Sequence, residues 1–223
     1  MKTTSEKIFP LGTDAATIEF GNRISAELKE KTVRLFRYFE ENPFPGLIEM
    51  VPAYASLTFF YDPLTVRKHF SGFNSAFEAV KNAAENALAA LRGFKSGAGE
   101  PRVLEIPVNF ENEFAPDLEF VASSHNLSPA EAIEIFTARI YTVYMLGFLP
   151  GFAYLGEIDE RIETPRRATP RVSVQKGSVG IAGRQTGIYP LASPGGWQII
   201  GRTDFELFTP ENEFSPSALQ AGD

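Results

Sequence analysis

Two Pro-Arg pairs in one short segment are the residues of this sequence best suited to bind an anion. Residues 164–171 read TPRRATPR and carry three arginines within six positions. Proline keeps the backbone extended, and a guanidinium group can bind a carboxylate or phosphate through two parallel hydrogen bonds. Arg166 and Arg171 are therefore candidate carboxylate ligands. A solvated basic loop on an acidic protein explains the same residues equally well.

A glycine-rich stretch follows, with neutral hydrogen-bonding side chains spread along it. Residues 176–202 read KGSVGIAGRQTGIYPLASPGGWQIIGR and contain seven glycines. Main-chain N–H groups of such a stretch could hold an amide-like ligand, and a series of hairpin turns is the alternative. The candidate binding side chains are Gln185, Thr186, Tyr189, Ser193 and Trp197.

A third segment, residues 147–156, reads GFLPGFAYLG and places two Gly-Phe pairs around a proline. Glycine permits backbone angles that other residues avoid, which indicates a tight turn. Phe148 and Phe152 either fill a core behind this turn or line a binding site. Trp197 poses the same choice, because it directly follows the turn-forming residues Pro194, Gly195 and Gly196.

Several kinds of site and partner are excluded or disfavoured by composition. The chain has no cysteine, and His69 and His125 show no metal-ligand spacing, so no metal site is predicted. No P-loop or dinucleotide-binding fingerprint and no nucleophile elbow occur, so no catalytic residue is assigned. The net charge of −7 argues against nucleic acid as a partner. No membrane span or signal peptide is expected, which makes a cytoplasmic location the default.

The elements that must position these residues fall into two groups. In the first hundred residues, periodicity predicts strands at 16–20, 47–50 and 55–61 and a helix at 23–41. A second helix begins at the capping box Ser75–Glu78 and ends near Gly93. A linker at 95–100 precedes a last strand at 102–108. This β-α-β-β-α-β order is that of a ferredoxin-like domain, although the last strand could instead open the next domain.

The second half has a different pattern. Short helices are predicted to start near residues 116 and 128. Short apolar runs at 140–146, 171–175, 179–182, 198–202 and 205–208, separated by glycine and proline, are typical of a barrel or sandwich. The predicted fold class is therefore α+β, with one domain at residues 1–100 and a β-rich domain at 101–223.

Taken in order, the three motifs resemble the family of the 5-oxoprolinase B subunit. The segment PAYASLTFFYDP at residues 52–63 also fits, so the resemblance covers nearly the whole chain. That family includes the kinase inhibitor KipI and the first subunit of allophanate hydrolase and urea-carboxylase-type proteins. The resemblance implies that a cyclophilin-like β-barrel domain follows the ferredoxin-like domain.

The resemblance also implies a function in a complex. Together with a C-type (KipA-like) partner and an A-type (LamB-like) partner, the chain would open 5-oxoproline to glutamate with ATP hydrolysis. Arg166 and Arg171 would bind the substrate carboxylate, and Gln185, Thr186 and the N–H groups of residues 183–187 would hold the amide. The turn at 193–197, with Tyr189, Phe148 and Phe152, would complete the pocket. How this chain would hold ATP is not evident from its motifs.

Two departures from the family pattern leave alternatives open. Many relatives have a histidine where this chain has Phe136, and many have a Gly-Gly pair where residues 109–113 read NFENE. If that histidine transfers protons, Phe136 cannot replace it. The alternatives are a KipI-like inhibitor of a sporulation-type sensor histidine kinase, an allophanate hydrolase or urea-carboxylase-type subunit, and a ligand-binding barrel without catalysis.

Overall fold

The structure is a computed structural model that describes residues 6–23, 25–92 and 102–223. The chain divides into two units, Met1–Pro101 and Arg102–Asp223. The predicted cap at Gly93 and the predicted linker at 95–100 lie outside the described residues. No helix within the described ranges is long and apolar enough to cross a membrane.

The first unit is built on a four-stranded antiparallel sheet with the strand order β1-β2-β4-β3. Its elements are β1 (Lys7–Pro10), β2 (Ala15–Glu19), α1 (Ala26–Glu41), β3 (Leu47–Pro52), β4 (Ser56–Tyr61), α2 (Pro63–His69) and α3 (Ala76–Arg92). The predicted strands 16–20, 47–50 and 55–61 and both predicted helices are confirmed.

Burial alternates along strand β4, so that one face of the strand packs on the core. Leu57, Phe59 and Tyr61 are buried, and the residues between them are partly exposed. Helix α1 begins at Ser25, whose hydroxyl accepts the Leu28 N–H, and packs Phe39 edge-on against Phe59 at 5.0 Å between ring centroids. Sheet and helix therefore share one apolar core.

The predicted strand at residues 102–108 is wrong. In the described residues it forms no ladder, and the position beside β2 at the sheet edge is taken by β1. In the described chain, backbone pairing begins one residue after this segment, where Asn109 forms an isolated bridge with Arg202. The ferredoxin-like arrangement therefore stays a prediction, and the mixed α/β antiparallel architecture is what the structure shows.

The second unit combines two short helices with two antiparallel sheets. The sheets have the orders β11-β8-β9-β6-β5 and β10-β7. The elements are α4 (Leu118–Ser124), α5 (Pro129–Thr137), β5 (Thr142–Leu146), β6 (Ala153–Gly156), a 3-10 turn (Glu160–Ile162), β7 (Arg171–Val174), β8 (Ser178–Ala182), β9 (Gln185–Ile188), β10 (Ser193–Gly195) and β11 (Gln198–Arg202).

Sequence signals located most of these elements. The capping box at Ser128 and Glu131 is confirmed, with both reciprocal hydrogen bonds formed. The predicted strand at 205–208 is wrong, since only Phe208 makes an isolated bridge, to Ser217. The five-stranded sheet has β11 and β5 at its two edges and does not close in the described part of the chain. The cyclophilin-like barrel therefore stays a prediction.

Candidate functional site

Four of the predicted site residues form one aromatic cluster in the second unit. Phe152, Tyr189 and Trp197 are buried. The ring centroid of Phe152 lies 5.3 Å from that of Tyr189 and 5.6 Å from that of Trp197, both edge to face. Phe148 joins from the surface, with its ring 5.5 Å from Phe152. Tyr154, which was not predicted, lies 5.9 Å from Trp197.

Phe148 is exposed at the tip of the β5–β6 hairpin. Its backbone φ is +71°, a conformation that non-glycine residues rarely adopt, and its side chain is 60% exposed. The Leu149 N–H donates to the Gly147 carbonyl at 2.9 Å, so the turn closes around Phe148 itself. Backbone conformations of this kind often occur at ligand sites.

Packing against Tyr189 explains one glycine of the Pro-Gly-Gly sequence before Trp197. A Cβ atom on Gly195 would lie 2.9 Å from Tyr189 Cζ and 3.0 Å from Tyr189 Cε1, closer than real Cβ contacts. Glycine therefore allows the β10 backbone to lie directly against the phenol ring. Gly196 differs, because its nearest neighbour would be Pro170 Cγ at 3.5 Å, an ordinary contact.

Arg166 lies over the face of Trp197 and is the cation of the site. Its Cζ atom is 5.9 Å from the ring centroid, within cation–π range. The side chain is exposed, and among the described residues no carboxylate pairs with it. Its positive charge also lowers the pKa values of Tyr154 and Tyr189 against the larger effect of burial, which places it near both phenols.

Backbone and side-chain hydrogen bonds fix the segment that carries Arg166. Gln198 Nε2 donates to the Pro165 carbonyl at 3.0 Å, and the Arg167 N–H donates to the Gly196 carbonyl at 2.7 Å. The residues on both sides of Arg166 are therefore attached to the start of β11. This attachment places Arg166 over the ring of Trp197, the residue between Gly196 and Gln198.

Asp117 is the residue of this site that sequence reasoning missed. Its buried carboxylate accepts hydrogen bonds from Arg167 Nη1 at 2.9 Å, Arg171 Nη2 at 2.7 Å and the Ile199 N–H at 2.6 Å. One acidic side chain thus joins the arginine segment to β11. The available signal was an acidic residue at a predicted helix start, and acidic residues are common at helix starts in general.

The tyrosines of the cluster stay protonated at neutral pH. Burial raises the pKa of Tyr189, and a backbone hydrogen bond with Trp197 and the charge of Arg166 oppose that rise. Burial likewise raises the pKa of Tyr154, with Arg166 opposing. The cluster therefore combines one exposed cation, Arg166, with neutral phenols, of which Tyr154 is partly exposed and Tyr189 is buried.

Four other predicted residues are engaged elsewhere or lie at the periphery. Arg171 binds Asp117 and is not available for a ligand carboxylate while that pair holds. The Thr186 hydroxyl donates to the Gly180 carbonyl at 2.9 Å inside the sheet. Gln185 lies at the start of β9 and is partly buried, and the Ser193 hydroxyl donates to the Pro194 carbonyl at 3.3 Å. The Gly183 N–H, in the predicted amide-binding turn, already donates to Thr164.

Phe136 belongs to a different part of the unit. It is buried in the core beneath α4 and α5, with its ring 5.1 Å from Tyr141 and 6.3 Å from Phe110. The aromatic cluster of Phe152 and Trp197 forms a separate packed group. The side chain at position 136 therefore acts in packing in this chain.

The described helix starts do not fit ATP. A phosphate-binding helix start needs free N–H groups and no competing anion. Asp117 places a carboxylate at the start of α4, and Lys176, the one lysine of the glycine-rich stretch, pairs with Glu206 at 2.7 Å. The side chains that accept hydrogen bonds at the starts of α1, α2, α3 and α5 are those of Ser25, Asp62, Ser75 and Ser128.

Comparison with known proteins agrees with the motifs. Residues 6–219 match the family described as carboxyltransferase domain, subdomain C and D. Over 222 residues the chain is 48% identical to the B subunit of 5-oxoprolinase from Bacillus subtilis (strain 168), covering 99% of this chain and 91% of the relative. The chain belongs to the family of the 5-oxoprolinase B subunit.

Two solved structures that match this chain are longer than it. The protein TTHA0988 matches with a TM-score of 0.76 and 34% identity over 94% of this chain and 38% of its own. This chain therefore spans about two fifths of the length of that solved protein. The urea carboxylase of Kluyveromyces lactis matches with a TM-score of 0.71 at 16% identity, over 97% of this chain and 20% of its own, which shows a shared fold.

Proposed function

We propose that this chain is the B subunit of an ATP-dependent 5-oxoprolinase, which opens the cyclic amide of 5-oxoproline to give glutamate. The observation that carries the proposal is that Arg166 lies over Trp197, in the aromatic cluster that the exposed Phe148 joins through Phe152. The near full-length relationship to a relative named as this 5-oxoprolinase component supports it.

The site chemistry matches this substrate. 5-Oxoproline is a flat five-membered lactam with one carboxylate. Arg166, which has no ion-pair partner in the described part of the chain, would bind that carboxylate through charge-assisted hydrogen bonds. The exposed ring of Phe148 would pack against the lactam ring and exclude water.

Arg166, rather than Arg171, is the carboxylate ligand in this proposal. Arg171 is held by the buried carboxylate of Asp117, and moving it to a ligand would leave that charge unpaired. Arg171 and Arg167 instead fix the backbone on either side of the site. Asp117 acts through them as a positioning residue.

Partner subunits would supply the remaining chemistry. Hydrolysis breaks the bond between the ring nitrogen and the carbonyl carbon, and water provides the oxygen of the new γ-carboxylate. We assign ATP to a C-type (KipA-like) or A-type (LamB-like) partner, because no motif of this chain indicates how it would hold the phosphates. This chain would bind and orient the lactam.

Steady-state kinetics of the reconstituted complex test the proposal. Arg166→Ala is expected to raise the KM for 5-oxoproline about 10- to 100-fold, because a charge-assisted hydrogen bond contributes about 1.5–3 kcal/mol. Arg161→Ala is the matched control, since Arg161 is an exposed arginine that pairs with Asp159 away from the cluster. An unchanged KM in Arg166→Ala would refute the carboxylate assignment. Full activity without this chain would refute its role as a subunit.

A further inference from the structure

The two runs that look like strands in the sequence but form no ladder lie beside the same groove. From Val103 to Phe110 exposure alternates residue by residue, as in a β-strand, and the inward residues pack on the core. The second run, at 205–208, makes only one isolated bridge. Both sequences have strand character without strand partners.

The backbone of the first run is unpaired. Within the described part of the chain, the C=O groups of residues 103–108 make no backbone hydrogen bond, nor do their N–H groups, of which Pro107 has none. Pairing begins at Asn109, which exchanges two hydrogen bonds with Arg202, at 2.7 and 2.9 Å. An unpaired, extended backbone of this kind is a template for another strand.

A groove opens where the two chain segments separate beyond that bridge. It has a volume of about 910 Å³ and is lined by residues 107–111 on one side and 202–205 on the other. In an extended chain, alternate residues direct their backbone groups to the same edge. Val103 and Glu105 therefore direct their N–H and C=O groups, and Pro107 its C=O group alone, to the side on which Asn109 meets Arg202, the side of the groove.

The charges of the groove indicate what it binds. Glu111 and Asp204 line the groove, and Glu105 precedes its first lining residue; all three are exposed, and no ion pair engages them in the described ranges. The guanidinium of Arg202 is held 4.0 Å above the ring of Phe114. The exposed charges are thus acidic, which favours a basic occupant. A second copy of this chain, with a net charge of −7, would be repelled.

We propose that this groove binds an extended, lysine- or arginine-bearing segment of the partner subunit, which adds a strand beside residues 103–107. Backbone hydrogen bonds would give affinity, and the acidic residues would select the partner strand. The inference rests on the proposed function for the existence of the partner. The greater length of TTHA0988 agrees with further polypeptide around this fold.

Hydrogen–deuterium exchange measured by mass spectrometry tests the pairing directly. The full chain is compared alone and with its purified C-type partner. The amides of Val103 and Glu105, which face the groove, are expected to exchange fast in the free chain and at least about 10-fold more slowly in the complex. Amides of β8, paired on both sides, serve as the internal reference. Equal exchange with and without the partner, fast or slow, overturns the proposal.

A proline variant separates backbone pairing from side-chain contact. Glu105→Pro removes an N–H that has no partner in the free chain, so the melting temperature is expected to stay within about 2 °C of the parent. Partner binding is expected to weaken at least about 10-fold. Glu105→Ala keeps the N–H and is expected to bind within about threefold of the parent, since a rim charge contributes little. Equal binding by Glu105→Pro and the parent contradicts strand addition.

Failure of this inference and failure of the proposed function can be told apart. If no complex forms, strand addition is wrong. Glutamate formation from 5-oxoproline and ATP, assayed with and without this chain among the purified subunits, then decides the function independently. If the enzyme is active but Val103 and Glu105 stay unprotected, the function stands and the docking surface is elsewhere.

Discussion

Removal of the Asp117 carboxylate is expected to be the most damaging single change in the second unit. Asp117→Ala leaves the guanidinium groups of Arg167 and Arg171 without their acceptor and the buried Ile199 N–H without a side-chain partner. The carboxylate side chain is only 5% exposed, so water cannot reach the vacated position freely. Burial of unpaired donors is the cause of the instability.

The expected cost follows from the exposure of the partners. Breaking a buried ion pair from one side costs about 3–5 kcal/mol. The Arg167 and Arg171 side chains are 37% and 24% exposed, so solvent recovers part of that cost and we expect about 3 kcal/mol. At about 2–4 °C per kcal/mol for a chain of this size, the melting temperature falls by about 6–12 °C.

Urea unfolding and thermal scans measure this loss, and a surface pair supplies the control. Glu206→Ala breaks the half-exposed pair with Lys176 and is expected to cost less than about 1 kcal/mol. Near-ultraviolet circular dichroism reports Trp197, the only tryptophan, and its signal is expected to weaken in Asp117→Ala at temperatures where the chain is still folded. An Asp117→Ala variant as stable as Glu206→Ala would show that this carboxylate has no central role.

Three further outcomes are expected. Gly195→Ala is expected to destabilise the chain by about 1–3 kcal/mol through overlap with Tyr189, whereas Gly196→Ala is expected to change stability little; equal urea midpoints would show the close contact to be unimportant. Burial raises the pKa of Tyr141 and of Tyr189 in the folded chain. Their neutral phenols therefore stabilise the fold fully below pH of about 10, the pKa of tyrosine in the unfolded chain. That stability is lost as the pH rises from there through the higher pKa values of the folded chain. Melting temperatures from pH of about 8 to 11 and absorbance of the phenolates check this, and native phenols that titrate near pH of about 10 would contradict it. Phe148→Gly relieves a positive φ and removes an exposed ring, so it is expected to preserve stability while raising the KM for 5-oxoproline. A lower stability together with a raised KM would indicate that Phe148 acts in packing instead.

Local patterns in the sequence determined most elements of this protein. Strands β2, β3 and β4, helix α1 and the capping box of α5 depend on periodicity and on contacts within a few residues, and the structure confirms them, whereas β1 was not predicted. The motifs also pointed to Phe148, Phe152, Tyr189 and Trp197, which the fold brings into one cluster. Short-range rules suffice where the deciding interactions are short-range.

Tertiary structure alone decided which polar residues are available and which strand-like runs find partners. Arg166 and Arg171 belong to identical Pro-Arg pairs, yet a carboxylate far away in sequence, Asp117, engages one and leaves the other over Trp197. Residues 102–108 have the periodicity of a strand, yet a strand forms only when a neighbouring backbone lies at the right distance. In the described chain that neighbour begins only at the bridge between Asn109 and Arg202. Pairings over such separations depend on where the whole chain places each group, which a local pattern does not encode.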